Sequence, residues 1–221
     1  MTAVSVVQPQ YGPTLLQLLA PRPLRVRVAA GVFALLLVLA AIVIGIRSVP
    51  DEQVVLLHKP ITFNFAYGPK LHRVQEAGTL VALRRPKRGP FLESYVIRDL
   101  HLPPYQGAVG GMLPLYAYGY MQKLQKRYQH YEFVTEGRTR INNGVGYNIS
   151  FRARRNGHTL YVRHLLLVPE LPDGQRHGVV LELETTFAAG TPNIDAVGNV
   201  GALKQALRSF RFGEDRKGGT S

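Results

Sequence analysis

The chain has 221 residues, with 27 Lys and Arg against 14 Asp and Glu and a net charge of +13. It contains no cysteine, which excludes disulfides, cysteine-ligated zinc, thiol nucleophiles and a lipid-modified cysteine. The length suits one domain with a full hydrophobic core, and the basic excess points to anionic lipid, acidic polymers or nucleic acid as partners.

Residues 1–27 hold Pro9, Pro13, Pro21 and Pro23, with a short apolar patch at Leu15, Leu16, Leu18 and Leu19. That is the pattern of a tail, not of a domain. Val28–Ile46 follows, nineteen residues without a charged side chain between Arg27 and Arg47. As a helix it is about 28 Å long, close to the thickness of a bilayer's hydrocarbon core. A core helix apolar all round would need more surrounding protein than this chain supplies. A cleaved signal peptide would have a shorter apolar run with a small-x-small site, whereas this one ends IGIRSVPDEQ. The expectation is a retained transmembrane helix over 28–46. Arg22, Arg25 and Arg27 precede it, whereas Arg47 is followed by Asp51 and Glu52. This asymmetry predicts a cytoplasmic N-terminus and an extracytoplasmic remainder in the cell membrane. Beyond residue 50 there are 23 basic and 14 acidic side chains, a balance of +9. The outside location and the lack of a recognisable binding motif disfavour nucleic acid.

Residues 47–60 read as a linker in which Val54–Leu57 is a short strand or a tether, and residues 61–213 as an α+β domain. Ile61–Tyr67 alternates Ile61, Phe63, Phe65 and Tyr67 against Thr62, Asn64 and Ala66, a half-buried strand. Gly68-Pro69 ends it. Thr79–Leu83 and Phe91–Leu102 are two further strands, joined by the basic loop Arg84–Pro90 and stopped by Pro103-Pro104. Leu113–Tyr131 carries Leu113, Ala117, Tyr120, Met121, Leu124, Tyr128 and Tyr131 as one apolar stripe at helical period. Its other face, with Lys123, Lys126 and Arg127, is expected in solvent. Glu132–Ile141, Tyr147–Arg154, Thr159–Val168 and Gly178–Phe187 are four strands separated by Asn143-Gly144, Asn156-Gly157 and Pro172-Asp173-Gly174. These are tight-turn residues, so the spacing predicts an antiparallel meander with one face buried and the other, including Glu182 and Glu184, solvated. Asp195 is expected to cap a last helix, Ala196–Arg208, before Ser209-Phe210-Arg211-Phe212. Residues 214–221 are a disordered tail.

This order of elements, with ITFNFAYGP, INNGVGYNISFRARRNG and NVGALKQALRSFRF, resembles the PsbP-like α/β/α sandwich superfamily over about residues 60–213. Its bacterial members include LpqN-type envelope lipoproteins and DcrB-like proteins. The resemblance implies an antiparallel sheet with helices packed on it and an accessory, binding or assembly role. Two departures stand out: an apolar segment replaces the lipobox cysteine, and the first strand lacks the Trp often found after it.

Candidate chemistry is sparse. His158 and His164 share a strand face with His177 across the next hairpin, but their spacing matches no metal motif, so surface histidines are expected. Gly107-x-x-Gly110-Gly111 lacks the Lys-Ser/Thr of a phosphate loop. Ser94, Ser150 and Ser209 lie in no nucleophile elbow, and Glu93 and Asp99 on one strand do not make a mechanism. No catalytic, metal or cofactor site is expected, and the chain reads as a non-enzyme. Two binding features remain. Arg84, Arg85, Lys87, Arg88, Lys123, Lys126 and Arg127 form a basic set for an anionic partner, and Tyr105, Tyr116, Tyr118 and Tyr120 form a possible groove. The expected function is a membrane-anchored accessory protein that holds a protein partner or an anionic envelope component at the membrane face. A structural subunit of a membrane complex and an envelope hydrolase are the alternatives.

Overall fold

The structure, a computed structural model, describes residues 23–47, 53–86, 88–107, 109–155, 157–170 and 176–214. The expected tail up to residue 22, Lys87, Asn156, the Pro172-Asp173-Gly174 turn and the tail beyond 214 lie outside the described residues. The chain divides into two units, Met1–Pro50 and Asp51–Ser221.

In the first unit, helix α1 (Leu24–Arg47) covers the whole predicted apolar segment. Its side chains from Val32 to Leu39 include Phe33, Leu35, Leu36 and Leu37, each more than half exposed. Beyond Leu39 its side chains lie outside the described residues. Among the described residues no helix is long and apolar enough to cross a membrane.

The second unit begins with β1 (Gln53–Leu57), β2 (Phe63–Tyr67), β3 (His72–Val74), β4 (Val81–Arg85) and β5 (Glu93–His101). Helix α2 (Val109–Arg127) comes next, followed by β6 (Gln129–Ile141), β7 (Gly144–Arg155), β8 (His158–Pro169) and β9 (His177–Thr186). The chain closes with α3 (Leu203–Ser209) and β10 (Arg211–Phe212). Seven strands form an antiparallel sheet in the order β3-β4-β5-β9-β8-β7-β6, and β1-β2-β10 form a small second sheet.

Two cores lie on opposite faces of the large sheet. Leu83, Tyr95, Ile97, Leu181 and Leu183 pack with Phe63 and Phe65 of the small sheet and Leu203, Leu207 and Phe210 at the C-terminus. Ile149, Phe151, Val162 and Leu166 pack with Met112, Leu113, Ala117 and Leu124 of α2 and with Tyr128 just after it. Among the described residues both cores are built from positions 55–212, so the second unit holds its own folding determinants. The predicted solvated face is present at the edge of the meander, on β6 and at Arg152 and Arg154 of β7, but not at its centre. β8 and β9 lie at the middle of the sheet, and from Leu165 to Pro169 and from Gly178 to Thr186 every residue is buried.

Local chemistry explains the elements and the departures from expectation. Ile141 pairs with Gly144, so the tight turn is Asn142-Asn143, not Asn143-Gly144. Asn142 takes φ 51°, a left-handed conformation that its short polar side chain tolerates. Its Nδ2 donates to the carbonyls of Arg208 (2.8 Å) and Phe210 (2.7 Å), tying the hairpin to the C-terminus. Helix α2 starts earlier than Leu113 and stops at Arg127, and His130 at φ 50° begins a bulged β6. The predicted last helix is broken. A 3-10 turn at Ile194–Ala196 is capped by Asn193, not by Asp195, and α3 starts only at Leu203. Gly198 and Gly201 between them sit at φ 78° and 70°, outside helical space.

Candidate functional site

Helix α2 packs on β6 and β7. On the same face, β4, β5 and β9 carry Arg84, Ser94, Arg98, Glu182 and Glu184. Register sets these side by side: Ser94 pairs with Glu184, and Glu182 lies between Val96 and His164. Alternation along β9 puts Glu182 and Glu184 on the expected face, yet they are only 2% and 5% exposed. Buried carboxylates demand partners, and arginines supply them.

Arg127, at the end of α2, closes a fork on Glu182, with Nη1 to Oε1 at 2.6 Å and Nη2 to Oε2 at 2.8 Å. Arg98 Nε lies 3.2 Å from the same carboxylate, while its Nη2 donates to Glu76 at 2.6 Å. Burial pushes the Glu182 carboxyl up, but the Arg127 fork and the nearby cationic charges outweigh it and hold the group at about 2. Arg155 closes a second fork on Glu184, at 2.8 and 3.1 Å. Glu184 also accepts from Tyr128 at 2.7 Å and from Ser94 at 3.3 Å.

His164 sits beneath this layer, fully buried. Tyr120 Oη lies 2.8 Å from its Nδ1 and Tyr128 Oη 3.3 Å from its Nε2. Because Tyr128 spends its proton on Glu184, its oxygen must accept from Nε2–H, which leaves Nδ1 to accept from Tyr120. The donor order therefore runs Tyr120, His164, Tyr128, Glu184. Burial pushes His164 down to about 4 despite the two nearby glutamates, so the ring is neutral at ordinary pH. Burial raises the Tyr120 and Tyr128 hydroxyls above the usual phenol range.

Above these residues lies a cleft of about 500 Å³, lined by Glu76, Arg84, Phe91, Ser94, Arg127 and Arg155, with Glu182 and Glu184 also in its wall. A second cavity of about 540 Å³ shares Phe91 and Arg155 with it and is otherwise lined mainly by Leu92, Leu160, Thr186 and Phe187.

The predicted basic set divides. Arg84 and Arg127 line the cleft, although Arg127 spends its fork on Glu182 while its side chain stays 42% exposed. Arg85 lies on the opposite sheet face, its Nε 3.0 Å from Glu93 and its Nη2 donating to the Ala189 carbonyl at 3.2 Å. Glu93 is fully buried, and burial raises its carboxyl against the pull of Arg85. Arg88, Lys123 and Lys126 are exposed. The tyrosines do not line one groove. Tyr120 is bound to His164 and Tyr116 stacks on Tyr120 at 6.3 Å, whereas Tyr118 is 67% exposed and Tyr105 covers Gly107 and Gly111. Of the histidines expected at the surface, His158 is exposed, but His164 is interior because α2 covers its face. His177 packs edge-on against His101, with ring centroids 3.9 Å apart. Among the described residues no cluster of three or more His, Cys, Asp or Glu is placed to hold a metal.

Sequence reasoning missed Arg98, Arg155, His164, Glu182 and Glu184 as a unit. The local signal was slight: in VVLELETTF only Val180 is apolar in the set that holds Glu182, Glu184 and Thr186, too little to mark a strand buried on both faces.

No protein-family model and no curated protein matches the chain. Among solved structures, it is similar to cyanobacterial PsbP from Synechocystis sp. PCC 6803 at 13% identity and TM-score 0.54, covering 75% of this chain and 94% of that one. LpqN of Mycobacterium tuberculosis, described as involved in cell envelope biogenesis, aligns at 10% identity over 72% of this chain and 90% of its own, with TM-score 0.45. The Ran-binding protein Mog1p of Saccharomyces cerevisiae aligns at 11% identity over 74% and 96%, with TM-score 0.43. The likeness to PsbP is one of fold, an α+β sandwich with antiparallel sheets. At these identities the likeness reaches the fold alone.

Proposed function

We propose that this chain is a membrane-anchored, extracytoplasmic accessory protein that acts by binding, not catalysis, and presents the arginine-lined cleft to an anionic envelope component. The observation that carries the reading is the state of the cleft's charges. Glu182 and Glu184 are each locked into an arginine fork and the His164 lone pair is taken by Tyr120. Groups committed in this way hold shape and charge, whereas a general base needs a free lone pair and a pKa near the working pH. Three arginines (84, 127 and 155) line the cleft against three glutamates (76, 182 and 184), and Arg98, bonded to Glu76 and 3.2 Å from Glu182, brings the cluster to one net positive charge. The anchor is supported by the exposed apolar side chains of α1, which water solvates poorly and a bilayer accommodates.

The test is co-sedimentation of the segment 51–221 with phosphatidylglycerol and phosphatidylcholine vesicles at low and high salt. Binding to the anionic vesicles only, weakened by salt and by Arg84→Glu, is the expected result. Equal binding to both, or none, overturns the reading. Resistance of the full chain to alkaline extraction from membranes tests the anchor. A second reading, as a subunit of a membrane complex, is favoured by one observation: Leu115 and Tyr118 on α2 are each 67% exposed and share a helix face.

A further inference from the structure

We infer that the charged cleft and the apolar cavity beside it form one site for a single-chain amphiphile with an anionic head, the chain lying against Phe187 and the head against Arg84. The inference rests on the binding reading above and narrows it to a ligand class.

The two cavities adjoin across a shared wall of Pro90, Phe91 and Arg155. Arg155 lies 4.9 Å over the Phe91 ring, and both residues face both cavities. The apolar end is built where central strands stop. Phe91 and Leu92 precede β5, Leu160 lies near the start of β8, and Phe187 opens the 3-10 turn after β9. Phe187 is 71% exposed, a large apolar surface at the rim of an apolar cavity, where an alkyl chain would remove it from water.

The polar end has an unspent cation. Arg98 is engaged by Ala77, Gly78 and Glu76, with its Nε 3.2 Å from Glu182. Arg127 and Arg155 each give a fork to one glutamate. Arg84 reaches Glu76 only at 3.8 Å, with its side chain 46% exposed, so its guanidinium keeps donors for a carboxylate or phosphate. The outward N–H groups of Arg127 and Arg155 add to that field. Both volumes fall in the roughly 300–1,000 Å³ range of small-molecule sites. A bare anion would leave the Phe187 cavity open, and an uncharged chain would leave the cationic balance unmet. An amphiphilic anion satisfies both ends. A free fatty acid and a lysolipid drawn from a bilayer share this chemistry.

The test uses the segment 51–221 with dansyl-labelled undecanoic acid as fluorescent probe, below micelle-forming concentrations. Laurate, octanoate, lysophosphatidylglycerol and lauryl maltoside serve as competitors. Laurate and lysophosphatidylglycerol displace the probe, and the tighter of the two identifies the source as free acid or lipid. Octanoate is weaker by about tenfold or more, because each methylene lost from an apolar site costs several-fold in affinity. Lauryl maltoside, with the same chain and no charge, is also at least about tenfold weaker by loss of the head contacts. Phe187→Asp weakens laurate by about tenfold or more, and Arg84→Gln weakens laurate several-fold while leaving lauryl maltoside unchanged. Both variants alter exposed side chains, and an unchanged circular dichroism melt confirms that they fold. Absence of probe binding, or equal displacement by laurate and lauryl maltoside with no effect of Arg84→Gln, overturns the inference. If anionic vesicles still sediment the segment while the probe fails to bind, the acyl site falls and the binding reading stands. If neither binds, both fall.

Discussion

Acidification should weaken the fold through His164, and the effect can be isolated. The ring is fully buried and held neutral by desolvation at about 4, against 6.5 in the unfolded chain. Between those values the unfolded chain binds a proton that the native chain does not, so stability is fully present above about pH 6.5 and falls as pH drops toward about 4. The difference corresponds to about 3 kcal/mol at one histidine. Protonation would also place a hydrogen on Nδ1, against the Tyr120 hydroxyl that donates to it. The assay is urea unfolding of the segment 51–221 across this pH range, for the wild type and His164→Asn. The variant is less stable at neutral pH, but its stability changes with pH by about 3 kcal/mol less than that of the wild type. Subtracting the two curves removes every other titrating group, including Glu93, whose raised carboxyl acts in the opposite direction. Parallel curves would refute the reasoning, since His164 would then carry its proton equally in both states.

Arg127→Met leaves the Glu182 carboxylate facing Arg98 alone. Removing one partner of a buried pair costs about 3–5 kcal/mol, and the 42% exposure of the Arg127 side chain reduces the expected loss to about 2 kcal/mol; adding Glu182→Gln restores most of it in denaturant titration. Glu182, held at about 2 against 4.5 unfolded, contributes stability present above about pH 4.5 and lost as pH falls through about 2, so Glu182→Gln flattens the stability profile in that lower window. A Cβ at Gly178 would run into the Leu167 carbonyl oxygen, and backbone cannot step aside, so Gly178→Ala lowers stability by about 2 kcal/mol or more on thermal unfolding. Asn142→Ala loses two bonds to the C-terminal segment and strains a left-handed position, for a loss of about 1–3 kcal/mol, of which Asn142→Gly recovers the strain but not the bonds.

Six of the seven strands of the large sheet were legible because alternation is a local property, whereas the three-residue β3 is too short to show it. Tyr147, Ile149, Phe151 and Ala153 face α2, and the turn residues fall near the right places. What covers a face is not local. Glu182 and Glu184 alternate with Leu181 and Leu183, which reads as a solvated edge until Arg127, 55 residues earlier, closes over Glu182. The same holds for Arg155, whose partner is on β9, and for His164, whose burial depends on a helix 44 residues upstream. The basic set split because Arg84 and Arg85 are adjacent in a strand and so point to opposite faces. The broken terminal helix follows from Gly198 and Gly201, whose positive φ the apolar stripe of Val197, Val200, Leu203 and Leu207 concealed.

The central claim is that the arginine-lined cleft is where this protein meets an anionic component. The most direct measurement is an amide NMR titration of the segment 51–221 with soluble short-chain phosphatidylglycerol, using the matching phosphatidylcholine as control. The account predicts saturable shifts confined to the neighbourhood of Arg84, Phe91, Ser94, Arg155, Glu182 and Phe187, seen with the anionic lipid only. Shifts centred on the exposed Lys123 and Lys126 of α2, or equal shifts with both lipids, would contradict it.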